Sequence, residues 1–157
     1  MKKMLVAVAL GLAAAPAWAQ GFKQDNFYAG AGINLNWASG VDEAVGAQIF
    51  VGYELDMLDA APLALAVEAG YMDTGNFERR GLRVGSASGL WTTAVASYRL
   101  NPVLELLARL GLDLGDDDGP MLGVGVGYAV SKELAVRGEY VVRDDIDSLQ
   151  ANVVLRF

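Results

Sequence analysis

Ser148-Leu149-Gln150-Ala151-Asn152-Val153-Val154-Leu155-Arg156-Phe157 alternates in side-chain character along its whole length. Leu149, Ala151, Val153, Leu155 and Phe157 fall on one side of an extended chain, and Ser148, Gln150, Asn152 and Arg156 on the other, with Val154 the one exception. Successive side chains of a strand point to opposite faces, whereas a helix brings together residues three and four apart. The stretch therefore reads as a strand with one apolar face.

Other segments repeat the pattern. Phe27, Ala29, Ala31, Ile33, Leu35 and Trp37 oppose Tyr28, Gly30, Gly32, Asn34 and Asn36, and Leu122, Val124, Val126, Tyr128 and Val130 oppose Gly123, Gly125, Gly127 and Ala129. Turn residues divide the chain into eight such segments: Phe27 to Trp37, Ala44 to Leu55, Leu63 to Met72, Gly89 to Leu100, Val103 to Asp113, Met121 to Val130, Leu134 to Arg143 and Ser148 to Phe157. The expected fold is all-β, an eight-stranded antiparallel up-and-down barrel.

A soluble barrel and a membrane barrel both alternate, so the decision rests on which face points inward. Glu68, Glu105, Arg109, Arg137 and Glu139 share the face of small and polar residues, in mid-segment. Aromatic residues of the apolar face sit near segment ends: Phe27, Trp37, Tyr53, Tyr71, Tyr98, Tyr128 and Phe157, with Tyr140 slightly further in. That placement fits the girdles where rings meet the lipid headgroups. Glycines 30, 32, 46, 52, 70, 111, 123, 125 and 127 occupy the other face. The interior of eight strands is just wide enough to be filled by side chains, so small residues should alternate there with long ones that cross the lumen. Ten residues at about 3.3 Å each, tilted about 40°, reach roughly 25 Å, the height of the apolar band of such barrels. With the faces reversed, Arg109 and Arg137 would meet lipid at about 2–4 kcal/mol each. A transmembrane barrel with lipid outside and charge inside is expected.

Residues 1–19 carry a different signal. Lys2 and Lys3 precede the apolar run Leu5 to Ala15 and then Ala17-Trp18-Ala19, the form of a cleaved secretory signal peptide. Residues 20–157 would then be the barrel domain, with 10 basic against 19 acidic residues. That acidity, without a basic stripe, excludes a nucleic-acid surface. Cysteine is absent, and no later stretch approaches the roughly 18 apolar residues of a spanning helix.

With an even strand count both termini share one side, which in outer-membrane barrels is the periplasm. Asp56 to Pro62, Asn101-Pro102 and Ser131 to Glu133 become periplasmic turns. Ala38 to Glu43, Asp73 to Ser88, Leu114 to Pro120 and Asp144 to Asp147 face outward. The second outward loop is long and holds Arg79, Arg80 and Arg83. A solvated hairpin is the simpler reading of it, and a contact with lipopolysaccharide phosphates the functional one. Trp91 falls on the inward parity, as a lumen plug or at a local bulge.

Three stretches resemble the transmembrane domain of the outer-membrane protein A family and its small eight-stranded and opacity-type relatives: Val67-Glu68-Ala69-Gly70-Tyr71, Ala96-Ser97-Tyr98-Arg99-Leu100-Asn101-Pro102, and Asn152-Val153-Val154-Leu155-Arg156-Phe157. The resemblance implies that Val153, Leu155 and Phe157 form the signal received by the outer-membrane barrel assembly machinery, through edge addition of the last strand. It also implies acid and base pairs across the lumen in two layers. Glu68, Arg109, Arg137 and Glu139 would lie near mid-height, and Glu54, Arg99, Glu105 and Arg156 near the periplasmic mouth. The peptidoglycan-binding second domain of larger relatives is not expected, nor the long loops of adhesive ones.

Histidine is absent, which argues against the lipase, deacylase, acyltransferase and protease chemistries of similar barrels, and against zinc or copper sites. Asp116-Asp117-Asp118-Gly119 lacks the alternating acid spacing and terminal Glu of a calcium loop and reads as a solvated turn. No cofactor or metal is expected. The chain is expected to be a monomeric, non-catalytic barrel of the bacterial outer membrane, in contact with membrane lipid and lipopolysaccharide and serving a structural or surface-interaction role. A narrow gated pore and a secreted soluble small-ligand-binding barrel are the alternatives.

Overall fold

The computed structural model describes residues 23–55 and 62–157. The expected signal peptide and most of the turn from Asp56 to Pro62 lie outside the described residues. A 3-10 turn, Gln24–Asn26, leads into β1 (Phe27–Ala38). The chain continues through β2 (Ala44–Leu55), β3 (Leu63–Asp73), a small hairpin of β4 (Phe77–Arg79) and β5 (Leu82–Gly85), then β6 (Ser88–Arg99) and β7 (Leu104–Asp113). β8 (Gly119–Ala129), β9 (Leu134–Val142) and β10 (Ile146–Arg156) complete it. The eight long strands form a closed antiparallel barrel in which β10 returns to β1, pairing Tyr28 with Arg156 and Ala38 with Ile146. Closure gives every long strand two partners and leaves no edge, as a sheet in lipid requires.

Burial is inverted relative to a protein dissolved in water. The outer face carries Ile33, Val45, Ile49, Leu110, Leu122 and Val124, each more than half exposed, while Glu68, Glu139, Asn34, Asn36, Gln150 and Ser148 are fully buried. Buried polar and charged side chains are as numerous as buried apolar ones. A water-soluble barrel would need the reverse.

Strand boundaries shift for local reasons. Pro120 was expected in a loop, yet it lies in β8 opposite Leu112, one residue from the strand's start, where a missing N–H is tolerated. β7 starts at Leu104 because the Asn101 side-chain oxygen accepts the Val103 and Leu104 N–H groups at 3.0 and 2.9 Å, folding Asn101 and Pro102 into a compact turn. β10 starts two residues early, at Ile146, which is buried with Ala44 and Phe77. The loop from Asp73 to Ser88 contains the β4–β5 hairpin. Arg80 and Gly81 form its two-residue turn, with φ of 53° and 77°, the double left-handed conformation that matches strand twist.

Both ladders beside Trp91 run without a register shift, pairing it with Gly70 and with Asp113. It is therefore a lumen plug and not a bulge, 2 % exposed, with its ring 5.8 Å from that of Phe50.

Candidate functional site

The lumen is built from the inward parity of all eight strands. Glu68 on β3 sits at its centre, where three donors converge on one carboxylate. Tyr28 Oη donates to Oε1 at 2.8 Å, Arg137 Nη1 to Oε1 at 2.6 Å and Arg109 Nη2 to Oε2 at 3.1 Å. Arg109 also reaches Glu139 Oε2 at 2.6 Å, so one guanidinium bridges two acids. Asn152 donates to the other Glu139 oxygen at 3.3 Å. The arginines lie over aromatic rings as well, Arg109 5.5 Å from Trp91 and Arg137 5.1 Å from Tyr28. Two acids and two bases, all under 7 % exposed, thus balance one another in a dry layer.

β8 makes the room for this layer. A Cβ at Gly123 would lie 2.7 Å from Arg109 Cγ, at Gly125 2.6 Å from Glu139 Cγ, and at Gly127 2.6 Å from Glu105 Oε1. Long side chains on β7 and β9 lie over an unadorned strand between them, which is how a narrow barrel accommodates arginine.

The layer at the mouth beside the termini is looser. Glu54, Arg99, Glu105 and Arg156 line one polar cavity of about 200 Å³ whose inner wall includes Tyr28 and Arg137. Arg156 and Glu105 approach to 3.8 Å and are partly exposed, and Glu54 and Arg99 are in no ion pair among the described residues. Such half-hydrated charges are screened and hold one another weakly.

A third charged contact was not anticipated. Arg143 Nε meets Asp113 Oδ2 at 3.1 Å, and Nη1 donates to Ser148 Oγ at 2.8 Å, which in turn donates to Asn36 Oδ1 at 2.6 Å. Arg143 lies just past β9, but it keeps the parity of Arg137, Glu139 and Val141, the signal from which it could have been found. Between this contact and the central layer, Gln48 donates to Gln150 at 2.8 Å and to Asn152 at 2.7 Å. Phe77, Ala44 and Ile146 form a small buried apolar cluster at the end of the barrel remote from the termini.

The aromatic side chains lie at the two rims of the outer face. Phe27, Tyr53, Tyr98, Tyr128 and Phe157 are at the end that holds the termini, with Phe27 and Tyr53 in edge contact at 4.8 Å. Trp37, Tyr71 and Tyr140 are toward the far end, where Trp37 Nε1 donates to Glu43 at 3.0 Å and Tyr140 Oη to Asp147 at 3.0 Å. In the loop before β8, burial pushes the Asp117 carboxyl above its usual range, partly offset by the Asp145 N–H donating to Oδ1 at 3.0 Å.

A closed eight-stranded barrel, apolar outside and ionic inside, is a membrane architecture. The model of the outer membrane protein β-barrel domain family matches residues 5–157. The chain belongs to that family. Its place is the bacterial outer membrane, which overturns the alternative of a secreted soluble barrel. No curated protein matches by sequence. Among solved structures, a de novo designed transmembrane β-barrel is similar at TM-score 0.60 and 19 % identity, over 87 % of this chain and 100 % of that one. The attachment invasion locus protein Ail of Yersinia pestis is similar at TM-score 0.56 and 15 % identity, over 83 % and 96 %. Neisserial surface protein A is similar at TM-score 0.52 and 21 % identity, over 84 % and 97 %. Ail has also been solved with the heparin analogue sucrose octasulfate. At these identities the likeness concerns the fold.

Proposed function

We propose that this outer-membrane barrel is non-catalytic, closed to ions, and acts through its lipid-facing and outward surfaces. The observation that carries the reading is the Glu68, Arg109, Arg137 and Glu139 layer, packed beside Trp91 and Phe50 so that the lumen is filled at mid-height. Buried charges in reciprocal contact resist displacement, because any one removed leaves its partner uncompensated. In this reading the termini face the periplasm, after export through a signal at residues 1–19. Val153, Leu155 and Phe157, on the outer face of the last strand, serve recognition by the assembly machinery. Arg79, Arg80 and Arg83 contact anionic groups of lipopolysaccharide, a chemistry akin to the sulfated ligand bound by Ail.

A narrow gated pore is the second reading, favoured by the polar cavity that enters from the terminal mouth as far as Tyr28 and Arg137. Planar-bilayer recording separates the two. Purified protein should give no sustained openings, and openings whose amplitude changes in Arg109→Ala would replace the closed reading by the pore. Orientation is tested independently, since the chain has no cysteine of its own. Ser39→Cys, in the turn after β1, should react with a membrane-impermeant maleimide on intact cells, and labelling only after lysis would place that turn in the periplasm.

A further inference from the structure

Toward the end remote from the termini the sheet stops early between two neighbours. The last pair of the β8–β9 ladder at that end is Leu122 with Val142, although β8 itself starts at Gly119. Beyond that pair the loop from Leu114 to Asp118 and the turn from Arg143 to Asp145 lie side by side, and a Cβ at Gly119 would stand 3.2 Å from that of Asp144. No backbone hydrogen bond joins loop and turn among the described residues. Side chains hold them instead.

Most carboxylates of this rim are engaged or open to water. Asp113, at the end of β7, pairs with Arg143 through Oδ2 and accepts the Gly115 N–H at 3.0 Å through Oδ1. Asp116 Oδ2 accepts the Ser88 N–H at 2.9 Å, and Asp118, Asp144 and Asp145 are exposed. Asp117 is the exception, 8 % exposed and in no ion pair among the described residues. Its Oδ1 accepts the Asp145 N–H at 3.0 Å, while Oδ2 is buried without a hydrogen-bond partner. Arg143 is the cation that faces it, but the Arg143 nitrogens are engaged by Asp113, Ser148 and the Met72 sulfur.

A buried carboxylate with one donor and other acids for neighbours is costly, and the neutral acid is not. Burial holds the Asp117 carboxyl above its usual range, with the charges of Asp113 and Asp145 adding to the shift and the Asp145 N–H and Arg143 opposing it. A carboxyl that binds its proton more tightly with the loop closed than with it open favours closure at low pH. That advantage is lost as pH rises out of the ordinary carboxylate range and through the raised value.

We infer that Asp117 is a proton-operated clasp between the loop before β8 and the turn after β9: neutral, it fixes the loop to the Asp145 backbone, and ionised, it lets the loop lift from the turn. The rim changes shape as acidity falls, while the β8–β9 ladder from Leu122 inward stays as it is. The clasp works in the same way whichever side of the membrane this rim faces.

Exchange of the Asp145 amide hydrogen tests it, followed by NMR on nitrogen-labelled barrel in detergent and corrected for the intrinsic pH dependence of exchange. A chelator is present, so that no divalent cation replaces the proton. Protection should fall several-fold between about pH 4, near the ordinary carboxylate value, and about pH 7. Asp117→Asn keeps an accepting oxygen on a group that cannot ionise, so its protection should stay at the parent's acid level throughout. Asp117→Ala, with no acceptor, should be poorly protected at both pH values. Heat-dependent gel migration confirms folding of each, and amides of the β8–β9 ladder should not respond. Equal protection of Asp145 at the two pH values in the parent, or protection that rises with pH, overturns the clasp. So does an Asp117→Asn barrel that keeps the parent's pH dependence, since another acid of the rim would then be the titrating group.

Discussion

Replacing Glu68 by alanine should destabilise the folded barrel by about 3–5 kcal/mol, the cost of leaving a buried charge without its partner. Glu68 is fully buried and accepts from Tyr28, Arg109 and Arg137. Arg109 would keep Glu139, but Arg137 has no other ion pair among the described residues. Urea unfolding of barrel refolded into lipid vesicles, followed by tryptophan fluorescence, measures the loss. Glu68→Gln should lose less, since the amide oxygen still accepts. Glu68→Met combined with Arg137→Met should regain most of the stability, because an apolar pair of similar volume escapes desolvation. A Glu68→Ala barrel within about 1 kcal/mol of the parent would show that the layer does not hold the lumen together.

The second large effect concerns the opposite face. Ile49 is mid-strand on β2, 64 % exposed, between Ala31 and Tyr71. Ile49→Arg should cost about 2–4 kcal/mol in bilayers, the penalty for a cation near the hydrocarbon midplane. Leu114→Arg, in the loop after β7, should stay within about 0.5 kcal/mol of the parent. Were the outer face bathed in water, the two substitutions would be equally harmless, so equal stabilities in vesicles would refute the orientation of the whole barrel.

The alternation of Ser148 to Phe157 and its counterparts was enough to read eight strands and their two faces, because a period of two is a direct consequence of strand geometry. Parity does not report height in the barrel or the direction of a long side chain. Glu68 and Arg137, 69 residues apart, meet only once β3 and β9 stand across one lumen. The resemblance implies one layer at mid-height and one at the mouth, but parity could not show that the first is tight and the second loose, since Glu54 and Arg99 share the inward face with Glu68 and Arg109. The loop from Asp73 to Ser88 reads as a solvated hairpin, but the bounds of β4 and β5 within it were not legible for another reason. Strands of three and four residues are too short to show a period, and Arg80-Gly81 lacks the asparagine that would mark such a turn.

The pairing of Tyr28 with Arg156 joins positions about 128 residues apart, whereas β9 and β10 meet across a short turn. Chain-entropy scaling makes that seam about 3 kcal/mol harder to close than a local hairpin. Such a non-local contact forms late and slowly, so folding should show one rate-limiting step in which the sheet rolls up, with local pairings established before it.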